Sequence, residues 1–122
     1  MNTALYELVK VFRALSDPTR VRIMKLLLRE KSLCVCEIMQ ALNISQTRAS
    51  RNLGILKEAG FLKDERQGLW VHYRVDDGLP NSYAGEVAGL LREWLREDEV
   101  IQRDYRRSKR ALKLEEVFKK RV

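Results

Sequence analysis

Cys34 and Cys36 stand one residue apart in the stretch SLCVCEIMQA, residues 32–41, and they are the chain's two cysteines. The apolar Leu33, Ile38, Met39 and Leu42, with serine and glutamate among them, make an amphipathic helix of this stretch without any thiol. The pair therefore calls for a packing reason or a chemical one. As packing, a free cysteine is a small hydrophobe. As chemistry, its thiolate is a nucleophile and a soft ligand. Neighbours at i and i+2 are badly placed for a structural disulfide, and a reducing compartment disfavours one, so both are expected to rest as thiols.

A second group of chemically capable residues lies just downstream. With residues 45–57 set at about 100° each, Ala49, Leu53 and Leu56 share one side, while Thr47, Arg51 and Gly54 lie opposite, flanked by Arg48 and Ser50. Hydroxyls, small residues and guanidinium groups on one helix face suit close approach to a nucleic-acid groove. Arginine makes bidentate contacts with guanine or phosphate, and the hydroxyls reach phosphates or base edges.

Charge points the same way. The 122 residues carry 24 Lys/Arg against 17 Asp/Glu, a net +7, and a basic balance in a small domain favours a polyanionic partner. Residues 1–60 and 103–122 are basic, with an acidic middle between them. The length fits one domain, 1–105, followed by a basic tail or helix extension, 106–122. No membrane span or signal peptide is read from the sequence, so a cytoplasmic protein is expected.

The elements that would position these residues follow from periodicity. Leu5, Leu8, Val9, Phe12 and Leu15 mark a first helix over residues 3–15. SDPTRVRIMKLLL restarts one, with Asp17 as cap and Pro18 at the first helical position. A short helix holding the cysteines, capped by Ser32, ends near Leu42. Ser45 then caps a helix that Gly60 closes. FLKDERQGLWVHYRV alternates on either side of Gln67-Gly68, the pattern of a hairpin. Beyond Pro80 one long helix is expected, with Tyr83, Val87, Leu90, Leu91, Trp94, Ile101 and Tyr105 on one side. The fold class is thus mainly α with a two-stranded β-hairpin wing, a winged helix-turn-helix.

Three stretches, LSDPTRVRIMKLL, LCVCEI and SQTRASRNLGILKEAGFLKDERQGLWVHYRV, resemble the ArsR/SmtB family of metal-responsive repressors, in particular its arsenite-sensing ArsR branch. The resemblance is close over residues 4–76 and looser beyond Pro80. It implies a homodimeric repressor that holds double-stranded operator DNA and releases it on binding an inducer, without being an enzyme or requiring a cofactor. It makes Cys34 and Cys36 the site for trivalent arsenic, possible also for antimonite. Their helical directions, about 200° apart, would require the first turn to unwind on binding. It assigns Ser45, Gln46, Thr47, Arg48, Ser50 and Arg51, with Arg66 and Gln67 of the wing, to DNA. Leu5, Leu8, Phe12, Val87, Leu91 and Trp94 fall to the dimer interface.

The chain departs from that branch's pattern at Met39, where a third cysteine often stands. Hydroxide, an external thiol or nothing would fill the third position. Zinc is disfavoured, because it wants four ligands and the single His72 lies in the hairpin. A thiol-based redox or persulfide-sensing repressor on the same fold is the alternative. A thiol redox enzyme is more distant, since there is no Cys-x-x-Cys, phosphate-binding glycine loop or βαβ pattern.

Overall fold

The computed structural model describes residues 3–76 and 81–113. Helix α1 (Ala4–Ala14) and helix α2 (Pro18–Arg29) are joined by a short turn. Asp17 accepts the Arg20 amide at 3.2 Å, and Pro18 fills the first position of α2, where its missing N–H leaves nothing unsatisfied. Helix α3 (Val35–Leu42) ends on Asn43 in the left-handed conformation, φ 56°. Helix α4 (Gln46–Glu58) begins on Ser45, whose hydroxyl accepts the Arg48 amide at 3.2 Å. The two form a helix-turn-helix joined by Asn43-Ile44-Ser45.

Gly60 follows α4 with φ +93°, and a Cβ there would lie 2.7 Å from Cβ of Asn81. Both the backbone conformation and the close approach require glycine. Asn81 Nδ2 in turn donates to the carbonyls of Glu7 and Ala59, each at 3.2 Å, which ties the next helix to α1 and to the end of α4.

Ahead of α3 stands a short strand, β1 (Leu33–Cys34), which the sequence pattern did not reveal. Two residues are too few to display an alternation. Strands β2 (Leu62–Gln67) and β3 (Trp70–Val75) form the wing, paired antiparallel from Leu62↔Val75 to Gln67↔Trp70. The turn is therefore Gly68-Leu69, one residue later than the pattern indicated, with Gly68 at φ +63°. β1 adds to the other edge of β3 through Leu33↔Tyr73 and Cys34↔His72, giving the order β1-β3-β2.

The single long helix expected after Pro80 is instead two, α5 (Ser82–Glu93) and α6 (Glu99–Arg110). Leu95 takes φ +62° at the break. Lys25, buried in α2, donates its Nζ to the carbonyls of Leu91 at 2.8 Å and Trp94 at 2.6 Å. Asp98 then accepts the amides of Val100 and Ile101 at 2.9 and 3.1 Å. An ammonium that collects the terminal carbonyls and a strong cap just beyond it stop one helix and start another. α6 runs across the expected boundary at residue 105, and residues 114–122 of the tail lie outside the described residues.

Ile23, Met24, Leu26, Ile38, Leu53, Leu56 and Phe61 form the centre of the core between α2, α3, α4 and β2. Each such side chain contributes about 1.5–3 kcal/mol when fully buried. Among the described residues no helix is long and apolar enough to cross a membrane.

Candidate functional site

Cys34 is not helical. It is the N-cap of α3, with extended backbone at φ −80° and ψ 163°, and its strand pairing fixes it there. Cys36 lies in the first turn of α3. Because the extended residue turns its side chain back toward the helix, the two Cα atoms are 5.4 Å apart and the two sulfurs are in contact. One expectation is corrected here. The cysteines do not point apart as they would in a regular helix, and their sulfurs converge without any unwinding of the first turn. Ser32, expected as the cap, is displaced by Cys34 itself. The Cys34 amide donates to Oε1 of Glu37 at 3.1 Å, and that carboxylate is buried, which satisfies an end-of-helix donor and favours negative charge at the helix start.

The cysteines open on a cavity of about 510 Å³ lined by Cys34, Val35, Cys36, Met39, Gln40, Gln46, Leu69, Trp70 and Val71. Three parts of the fold meet there: the cysteine turn, the first residue of α4, and the tip of the wing. Met39, which stands where the resemblance would put a third cysteine, lines this cavity. His72 is opposite Cys34 across β3, so the two share a sheet face. Among the described residues no cluster of three or more His, Cys, Asp or Glu is arranged to hold a metal ion. The cavity gathers the sulfur atoms of Cys34, Cys36 and Met39 beside the carboxamides of Gln40 and Gln46, and sulfur donors suit soft, thiophilic species.

On α4, Ala49, Asn52, Leu53 and Leu56 are buried, while Gln46, Thr47, Arg48, Ser50, Arg51 and Gly54 are exposed along the outer side. Its attitude is fixed from α2. Arg20 donates to the Asn52 carboxamide oxygen at 2.9 Å and to the Ala14 carbonyl at 2.6 Å, and Asn52 donates to the Arg48 carbonyl at 2.9 Å. Arg48 is partly engaged, since its guanidinium donates to the Thr19 hydroxyl at 2.7 Å. These links were not visible in the sequence, because they join α2 to α4 across 29 and 32 residues. Arg66 and Gln67 are exposed at the end of β2. The residues that sequence reasoning missed at the cavity are Leu69, Trp70 and Val71. Leu69, an apolar residue directly after the turn glycine and 90% exposed, was the available signal.

The faces expected to meet a partner copy divide. Leu5, Phe12 and Trp94 are exposed at 66%, 57% and 53%, and Leu8 and Val87 are half-buried. Leu91 is 5% exposed within the protomer's own core, and Leu90, one residue earlier, takes the outward position at 50%. α1 and α5 pack against each other, and each carries exposed apolar residues.

Comparison with known proteins agrees with this architecture. A family model described as "Bacterial regulatory protein, arsR family" matches residues 17–64. An arsenic resistance transcriptional regulator of Pseudomonas putida is 44% identical over 91 residues, covering 72% of this chain and 71% of that protein. Among solved structures, a homodimeric winged helix-turn-helix DNA-binding domain from Mycobacterium bovis aligns at 30% identity and TM-score 0.59, covering 71% of this chain and 73% of that one. The AntR antimony-specific transcriptional repressor aligns at 28% identity and TM-score 0.59, covering 70% and 74%.

Proposed function

This chain belongs to the ArsR family of bacterial regulatory proteins, DNA-binding transcriptional regulators rather than enzymes, and from that premise we propose that it is an arsenite-responsive repressor. As a homodimer it holds operator DNA through Ser45, Gln46, Thr47, Arg48, Ser50 and Arg51, with Arg66 and Gln67 of the wing. It lets go when trivalent arsenic, or antimonite, is taken up by Cys34 and Cys36. The relatives support the class of inducer, since one is an arsenic resistance regulator and another an antimony-specific repressor. The observation that carries the site is the convergence of two sulfurs on a cavity walled by the wing and the first residue of α4.

The chemistry is a ligand exchange. Each reduced thiol gives its proton to a hydroxide of arsenous acid, which leaves as water while sulfur takes its place. The occupant then lies between Met39, Gln46 and Trp70, so filling the cavity alters how the wing and α4 sit against the cysteine turn. Moving an operator from nearly full to nearly empty requires the inducer to favour the released form by about 5.5 kcal/mol, a demand that two sulfur bonds meet better than one. A duplex selected from random sequence by the protein, followed by fluorescence anisotropy under reducing conditions, tests this. Cys34→Ser and Cys36→Ser should each bind that duplex like the wild type and no longer release it with arsenite. Met39→Ser should still respond. Full release from either cysteine variant rules out the paired-thiolate site.

A second reading has its own observation, since the two sulfurs lie against each other, close enough to bond once oxidised. Here the thiols would give up two protons and two electrons to an oxidant such as a peroxide or a persulfide, and closure of the pair would be the signal. Release by hydrogen peroxide but not by arsenite selects this reading.

A further inference from the structure

Helix α6 presents a charged face that neither the cysteine site nor the helix-turn-helix uses. Its inner side is firmly held. Ile101, Asp104 and Tyr105 are buried, and Asp104 accepts Arg22 on both carboxylate oxygens at 2.9 Å. The Tyr105 hydroxyl donates to the Lys25 carbonyl at 3.1 Å, and the Arg29 guanidinium stacks over its ring at 4.3 Å. The outer side is cationic, with Arg103, Arg106, Lys109 and Arg110 exposed and Lys113 just beyond. The one acid among residues 103–113 is Asp104, already consumed by Arg22.

Two clasps set the direction of α6 against α3. Near Asp104, Arg22 also donates to the Leu42 carbonyl at 3.1 Å, at the end of α3. Past the other end of α6, the Gln40 carboxamide donates to the Leu112 carbonyl at 2.8 Å and accepts the Leu112 amide at 2.9 Å. The same Gln40 donates to the Cys36 carbonyl at 3.0 Å. The cationic end of α6 therefore points toward the first turn of α3 and the cavity that Gln46 and the wing share. In a helix-turn-helix the first helix crosses the sugar-phosphate backbone while the second enters the groove, and here that first helix is α3.

We propose that α6 is a second DNA-contacting element, resting on the phosphate backbone that flanks each half-site and holding it through Arg106, Lys109 and Arg110. This rests on the DNA-binding reading above. Charge runs at chain ends are usually solvated, but these cations are carried on a docked helix. Arg106, Lys109 and Arg110 are spread over about 6 Å of the axis, given a rise of about 1.5 Å per residue, and Arg103 extends the row by one turn. Such a row can reach phosphates of one strand, which advance about 3.4 Å along the duplex axis with each nucleotide. A last turn rich in Arg and Lys also suits the helix's own C-terminus, and that local role would leave DNA binding untouched.

The full chain and the selected duplex, extended to about 40 base pairs or roughly four helical turns, provide the test. Affinity is measured across a salt series for Arg106→Ala/Arg110→Ala and for a charge-matched control, Lys10→Ala/Arg96→Ala, both checked by thermal melting. The α6 variant should give a log–log salt slope shallower by about one for each phosphate it no longer neutralises, and the control should keep the wild-type slope. Trimming the flanks of the duplex should abolish the difference between the two. Equal slopes for the two variants, whether unchanged or equally reduced, overturn the proposal while the DNA-binding reading stands. If no duplex is selected, or if Arg51→Ala binds as tightly as the wild type, the helix-turn-helix assignment fails and takes this one with it.

Discussion

At the scale of the residue, Lys25 shows how a charge can be buried for an architectural purpose. It is 3% exposed, and its ammonium donates to the carbonyls of Leu91 and Trp94 and, at 3.4 Å, of Arg92. Burial foremost, then the nearby Arg96, lowers its pKa from the ordinary lysine range, with Glu93 acting in the opposite sense. Lys25→Met would keep the aliphatic stem and leave those carbonyls without their donor. Urea unfolding should show a loss of about 1–3 kcal/mol, the cost of unsatisfied buried polar groups. Stability within about 0.5 kcal/mol of the wild type, the range of ordinary surface substitutions, would mean that water replaces the ammonium. Residues of this kind were illegible in the sequence. Lys25 looks there like a charged interruption of an apolar helix face, and its partners lie 66 and 69 residues away. The cysteine pair was legible as chemistry but not as geometry, because the strand that makes Cys34 extended depends on β3, formed far downstream.

At the scale of the element, most caps were legible, although Ser32 gives way to Cys34 ahead of α3 and the hairpin turn falls one residue later than the pattern indicated. Asp17-Pro18, Ser45 and Gly60 each mark an end that the structure has, and the inward and outward sides of α4 follow from spacing alone. What spacing missed was set by distant contacts: β1 by its pairing with β3, and the α5–α6 break by Lys25. α4 is also where the most direct test of DNA reading lies. Arg51 is exposed at the middle of its outer face and has no part in the network of Arg20, Asn52, Arg48 and Thr19 that orients the helix. Arg51→Ala should therefore weaken binding to the selected duplex by about 1–3 kcal/mol at matched salt, with the melting temperature unchanged. An unaltered affinity would mean that this face does not enter the groove.

At the scale of the whole molecule, the exposed apolar residues of α1 and of the end of α5 are where we expect a second copy to pack. Leu5, Phe12, Leu90 and Trp94 are each at least half exposed, and large apolar side chains left open on adjoining helices are what a partner copy would cover. A two-fold arrangement would cover them and set two copies of α4 on one side, spaced for half-sites about 34 Å apart. We expect sedimentation equilibrium at micromolar concentration to give twice the protomer mass, and Phe12→Glu/Trp94→Glu to give a folded monomer. Because joining two DNA-reading units gains a factor of about 10²–10⁴ through effective concentration, that variant should lose at least a hundredfold in affinity for a duplex with both half-sites and little for a single half-site. A wild-type monomer would remove these residues from consideration as an interface. A variant that stays dimeric would move the two-fold axis elsewhere, with α6 and the cavity face of the wing the next surfaces to test. A monomeric variant that keeps full affinity for the two-half-site duplex would show that one protomer alone supplies the binding, and the spacing of half-sites would then follow from the DNA rather than from the protein.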